Sequence, residues 1–175
     1  EEKRQESMGG LVLALVLSVI LVYMVMASQF ESLLHPFTIL LTIPLALVGA
    51  VLLFFVTGTT INIMGVIGVI MLSGIAVNNS IILVDRINQI KGDYDRLTDA
   101  IVVAASQRIR PILMTSLTTI LSLLPMAITF GEGASLLAPM AIAVIGGLVT
   151  STFLSLVVIP CVYYLLEQMK RKVMG

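Results

Sequence analysis

Two adjacent asparagines, Asn78 and Asn79, stand inside an apolar run that also holds Ser73 and Ser80. An amide in hydrocarbon must find a donor and acceptor partner on another helix, or line a water-accessible path. On a helix the two side chains point about 100° apart, so they cannot serve one small site together. Two readings stay open at this point. One is interhelical hydrogen bonding, worth about 0.6 kcal/mol on average. The other is a polar core lining a proton or ion path. A second polar set, Thr115, Ser116, Thr118, Thr119 and Ser122, lies in a later apolar run. Hydroxyls can bond back to carbonyls of their own helix, so most of these positions read as packing.

Other chemistry is sparse. Met24 and Met26 are the best metal-binding pair among 10 methionines, but a spacing of two places them about 200° apart on a helix. The single histidine, His35, reads as an interfacial residue beside Glu31, and one histidine excludes a multi-histidine metal site. The single cysteine, Cys161, has no base near it in the sequence, reads as inert and excludes an internal disulfide. No nucleophile–base set or metal-ligand spacing occurs, so the sequence implies neither an enzyme nor a cofactor. Charges balance at ten of each sign and aromatics make up 6% of residues, which leaves no basic, stacking face for nucleic acid.

The elements that position these residues are membrane spans. Of 175 residues 58% are hydrophobic and 11% charged, and the mean hydropathy is +1.10; a soluble domain carries about 25% charged residues. Residues 7–30 carry no charge, and after Glu31 no fixed charge appears until Asp85. As one helix the 32–84 stretch would reach ~80 Å against a hydrocarbon core of ~30 Å, so it holds two spans. Thr57-Gly58-Thr59-Thr60 is the turn between them. The stretches 111–131 and 133–166 are likewise uncharged and hold one span each.

The expected fold is all-α: a membrane bundle of five transmembrane helices at about 9–29, 37–56, 62–84, 111–130 and 140–166. Residues 1–8 form an external flank and 167–175 a basic tail. Pro36, Pro111 and Pro139 are placed to open helices, whereas Pro44, Pro125 and Pro160 kink them. Between the third and fourth spans, Leu97, Ala100, Ile101, Ala104 and Ala105 recur at helical spacing. This segment, about 94–107, reads as a short amphipathic helix on the inner surface, or else as a solvated helical loop. Close helix contacts are expected at Gly65, Gly68, Gly74, Gly146 and Gly147, and at the pairs Ala46/Ala50, Ala76/Ser80, Ala143/Gly147 and Gly146/Thr150.

Arg86, Lys91, Arg96, Arg108, Arg110, Lys170, Arg171 and Lys172 fall on one side of the membrane, with only Lys3 and Arg4 on the other. That asymmetry puts the C-terminus and the 85–110 loop in the cytoplasm and the N-terminus outside. The opening Glu1-Glu2-Lys3-Arg4-Gln5-Glu6 is not a signal peptide, and without an initiator methionine the chain reads as starting mid-protein.

Several segments resemble a known family. Ala27-Ser28-Gln29-Phe30-Glu31-Ser32-Leu33, with Pro36 and Ile43-Pro44-Leu45-Ala46 after it, looks like the start of a transmembrane half in resistance-nodulation-division (RND) efflux pumps. The run Gly74 to Asp85 resembles that family's central helix, and Arg108-Ile109-Arg110-Pro111-Ile112-Leu113-Met114-Thr115-Ser116 resembles the entry to its next-to-last helix. The likeness is to the C-terminal half of the membrane domain, in pumps of the multidrug, hydrophobe/amphiphile type.

The resemblance implies a bacterial inner-membrane proton antiporter, working as a homotrimer with a periplasmic adaptor protein. It implies that proton-relay support falls on Asn78, Asn79, Arg108 and Thr115. The relay's two adjacent aspartates belong to the N-terminal half, which is absent from this chain and would be its partner besides the lipid bilayer. Asn78 stands where that family has lysine. Asparagine can hydrogen-bond a carboxylate but cannot neutralise it, so a carboxylate pair facing it should titrate higher than one facing lysine. The expected function is therefore the membrane-embedded C-terminal half of a proton-driven exporter of drugs or other amphiphiles. Two alternatives remain: a structural or assembly module without transport, and a superfamily relative exporting lipid or protein.

Overall fold

The computed structural model describes residues 2–30, 34–128 and 132–174, with side chains over 9–30, 35–128 and 136–169. The Glu31-Ser32-Leu33 stretch and the side chains of Lys3, Arg4, Lys170, Arg171 and Lys172 lie outside the described residues. The chain forms helices α1 (Glu2–Phe30), α2 (Leu34–Leu40), α3 (Thr42–Thr57), α4 (Ile63–Ile90), α5 (Leu97–Ile128) and α6 (Glu132–Met174). Helices α2 and α3 together make one span, His35–Thr57, so that five spans are long and apolar enough to cross a membrane among the described residues.

Local sequence explains each boundary. Pro44 has no N–H to give to the Leu40 carbonyl, and its ring crowds that oxygen; the ladder breaks at Leu41, whose own N–H still reaches Phe37 O at 3.2 Å. At the other end of α3, Gly58 takes φ 64°, a left-handed conformation that costs glycine nothing. The N–H groups of Gly58 and Thr59 then close onto Phe55 O and Phe54 O at 3.4 and 3.2 Å, the Schellman arrangement that satisfies the last carbonyls. Asn62 starts α4: its Oδ1 accepts from Gly65 N–H at 2.9 Å.

The segment 97–110 differs from the separate amphipathic helix expected from sequence. It is the first part of α5, which runs unbroken through Pro111. Ala100, Ile101 and Ala104 bury into the same cluster as Ile112, so the apolar stripe continues across the proline and holds both sides in line. α6 likewise passes through Pro139 and Pro160.

α6 is the hub, packing on α2, α3, α4 and α5. Two apolar clusters stack along the bundle. One, around Ala46, Ala50, Phe54, Leu72 and Leu148, lies toward the Gly58 turn. The other, around Val84, Ile87, Ala104, Ile159 and Tyr163, lies toward the 91–96 loop. At the α3–α6 crossing the backbones meet directly: a methyl on Gly146 would sit 2.7 Å from Gly49 O, and one on Gly147 would sit 2.8 Å from Ala46 O. Gly68 meets Met140 O and Gly65 meets the Phe54 ring in the same way. Gly74 makes no close helix contact among the described residues, because a methyl there would meet nothing within 4 Å. It faces a groove that α1 leaves open.

Candidate functional site

Within α4 the two asparagines part as helical geometry requires. Asn79 is buried, 5% exposed, and donates from Nδ2 to Ser116 Oγ of α5 at 3.3 Å. Ser116 Oγ in turn shares a hydrogen bond of 2.8 Å with Thr152 Oγ1 of α6. Ser116 and Thr152 are each 4% exposed, so an amide and two hydroxyls form a closed polar chain across three helices. A buried polar group is costly unless paired, and here each member supplies what its neighbour lacks.

Asn78, by contrast, is exposed. It lines a groove of about 320 Å³ between α1 and α4, with Leu21, Val25 and Met26 on one wall and Gly74 and Ile81 on the other. Thr115 of α5 is also exposed, its hydroxyl donating within its own helix to Pro111 O at 3.2 Å and Ile112 O at 3.0 Å. Thr119 and Ser122 follow the same pattern, donating to Thr115 O and Thr119 O at 2.8 Å each. Once the proton is spent on the helix's own carbonyl, each hydroxyl turns only acceptor lone pairs outward.

These exposed groups share one side of the bundle. α4 and α5 are antiparallel neighbours joined at Asn79 and Ser116. Stepping one residue toward the N-terminus in each helix turns the side chain by about 100° in opposite senses about parallel axes. Since the two starting side chains face each other, both turns bring the new ones to the same side of the seam. Asn78 and Thr115 are those two residues.

Arg108 sits one span-end away on α5, half-buried, with its Nε buried and without a hydrogen-bond partner among the described residues. Arg108 lies on the α5 stripe of Ala104 and Ile112 that meets the core. The four residues expected from sequence are thus divided. Asn79 is locked inside; Asn78 and Thr115 present to one outer face; Arg108 stands at that seam's loop end.

A second polar group closes the loop end. His35 is buried rather than interfacial, 9% exposed, stacked on Tyr163 with ring centroids 5.2 Å apart and edge-on to Phe30 at 6.1 Å. Tyr163 donates its hydroxyl to Asn88 Oδ1 at 2.6 Å, and Lys91 approaches Glu167 at 3.9 Å. Beside it Arg86 donates to Gln107 at 2.8 Å and to Gln89 at 3.1 Å. These contacts tie α2, α4, α5 and α6 together. Cys161 and Met24 lie exposed on the bundle surface, and Met26 is buried, so the two methionines face apart.

The sequence did not single out Thr152 or Asn88 as partners. The small residues Gly146, Gly147 and Thr150 marked that stretch of α6 as a contact region, but Thr152 lies two residues and about 200° from Thr150, so they did not point to it.

Comparison with known proteins adds to this geometry. A family profile described as the AcrB/AcrD/AcrF family matches residues 1–167. The swarming motility protein SwrC of Bacillus subtilis (strain 168) is 37% identical over 171 residues, covering 97% of this chain and 16% of that protein. Two crystal structures of a heavy metal efflux pump, in crystal forms II and I, superpose with TM-scores of 0.86 and 0.83. Both are 34% identical and cover 95% of this chain, and the matched part is 17% and 16% of those chains. The chain therefore spans about a sixth of the length of these relatives.

Proposed function

The chain belongs to the AcrB/AcrD/AcrF family of RND transporters, and on that premise we propose that it is the C-terminal half of the membrane domain of a proton-driven exporter. The observation that carries this reading is the polar face on α4 and α5. On an outward surface made mostly of apolar side chains, Asn78, Thr115, Thr118 and Ser122 stand exposed within the spans of α4 and α5. The Asn78 amide turned outward there needs a protein or water partner rather than lipid, whereas the hydroxyls, already bonded to their own helix, only offer acceptors to such a partner. The partner proposed is the N-terminal half with its paired carboxylates. A protonated carboxyl is a donor, and the outward lone pairs of Thr115, Thr119 and Ser122 are acceptors; the face suits the protonated state of such a group better than the ionised one. Asn78, which carries both a donor and an acceptor, can serve either state, and Arg108 brings the fixed positive charge that the asparagine does not.

In this reading the chain supports proton-coupled conformational cycling in a homotrimeric inner-membrane pump with a periplasmic adaptor, its N-terminus outside and its C-terminus in the cytoplasm. Amphiphiles are the first cargo class, by the likeness of the Gln29-Phe30-Glu31-Ser32 stretch to drug-type pumps. A metal cargo is the second, because a heavy metal efflux pump is among the similar structures. Parallel resistance tests of the full-length pump against amphiphilic drugs and against transition-metal salts separate the two. The relay itself is tested with Asn78→Ala and Thr115→Ala in the full-length protein. Both should insert and express normally, yet lose export driven by an imposed pH gradient in proteoliposomes. Parental export rates in both variants at equal protein level would overturn the reading.

A further inference from the structure

We infer that the buried Asn79–Ser116–Thr152 chain is a positioning device. It fixes the rotational setting of α4 and α5 about their own axes, so that Asn78 and Thr115 face the same side; its importance for export rests on the proton-coupled reading above. Each exposed residue is the immediate N-terminal neighbour of a pinned one: Asn78 of Asn79, and Thr115 of Ser116. Rotating either helix by a few tens of degrees would turn its exposed residue out of register with the other, and would also break the hydrogen bond to its pinned neighbour.

The other hydrogen bond across this seam among the described residues, from Arg86 to Gln107 at 2.8 Å, joins exposed side chains at the loop end, so beside Asn78 and Thr115 the buried chain is the directional contact. The surrounding contacts are mostly aliphatic side chains, whose packing is non-directional, whereas a hydrogen bond weakens steeply off its axis. Thr152 extends the constraint to α6, the helix on which α3, α4 and α5 all pack. It belongs to the buried face of α6, whereas Asn78 and Thr115 stand on the outer surface of the bundle.

Thr152 therefore gives a clean test in the full-length pump. Thr152→Val keeps the volume and removes the hydroxyl; Thr152→Ser keeps the hydroxyl and removes a methyl. The structural readout is the rate at which Asn78→Cys and Thr115→Cys in one chain, with other cysteines replaced, are bridged by a short homobifunctional thiol reagent. The functional readout, without those cysteines, is the pH profile of export. Thr152→Val should slow bridging about five-fold, the factor that one net hydrogen bond is worth, and should displace the pH profile, whereas Thr152→Ser should match the parent in both. If Thr152→Val bridges at the parental rate and Thr152→Ser does not, the site is packing and the inference is wrong. If bridging slows as expected but the pH profile holds, the positioning device stands and the proton-coupled reading falls.

Discussion

Replacing Gly49 by alanine puts a number on how closely α3 and α6 must approach. The added methyl would lie 2.5 Å from Gly146 O and run into the Thr150 side chain, whereas ordinary contact begins at 3.4 Å. The Gly146 obstacle is backbone and cannot rotate away, so the helices must part by most of that difference. A radial gap of about 0.5–1 Å forfeits a quarter to a half of the dispersion well of each atom pair. The crossing engages Ala46, Gly49, Ala50 and Phe54 of α3, all buried. With on the order of 50 atom pairs at ~0.15 kcal/mol each, the loss comes to about 2–4 kcal/mol.

Gly74→Ala is the reference, since its methyl meets nothing within 4 Å and alanine is favoured over glycine in a helix by up to about 1 kcal/mol. Reversible unfolding of the full-length protein in mixed micelles, titrated with dodecyl sulfate, should place Gly49→Ala below Gly74→Ala by at least the dispersion loss. Equal midpoints for the two would refute the close-approach reasoning, because they would mean that α3 and α6 can separate at no cost.

Three further outcomes follow from the same structure. Phe54→Ala removes a ring that is 5% exposed and packed on Gly65, and should cost about 3–5 kcal/mol in the same titration; a loss under 1 kcal/mol would mean that the ring is not confined. Asn62→Ala deletes the α4 cap and should cost about 1 kcal/mol, with faster hydrogen exchange confined to the first turn of α4, and Asn62→Asp should restore most of it. Tyr163→Phe removes the hydroxyl that donates to Asn88 but keeps the ring against His35; it should cost ~0.5–1.5 kcal/mol, clearly less than Tyr163→Ala.

The spans were legible in the sequence because charge is so expensive in hydrocarbon that its absence over 32–84, 111–131 and 133–166 leaves few other solutions. The Gly58 turn was legible for a similar reason, since a left-handed helix stop calls for glycine. Facing directions were not. In a soluble helix the polar side marks the outside, but over the membrane-spanning part of α4 most residues are apolar and the pattern says little about which side meets a neighbour. Asn78 and Asn79 therefore looked alike, although one is buried and the other open. Thr115 and Ser116 were indistinguishable for the same reason. The continuity of α5 through Pro111 was hidden because a proline stops a helix in water, whereas here buried contacts on both sides of it hold the axis.

The central place of α6 has a consequence for biosynthesis. Helices are made in chain order, and α6 follows every helix it organises. Until it enters the bilayer, Gly49 and Ala46 of α3, Gly68 of α4 and Ser116 of α5 have no cover from it, and the small residues that later permit close contact leave shallow furrows for lipid to fill. The earlier spans therefore wait as a loosely associated set that the last one closes. A ribosome that stalls before α6 would release a chain with intact spans but an unsealed seam. Asn79 and Ser116 could still pair with each other, but Ser116 would lack Thr152 and Asn88 would lack Tyr163. Those uncovered polar groups would be the marks by which a membrane protease could tell it from one that holds α6.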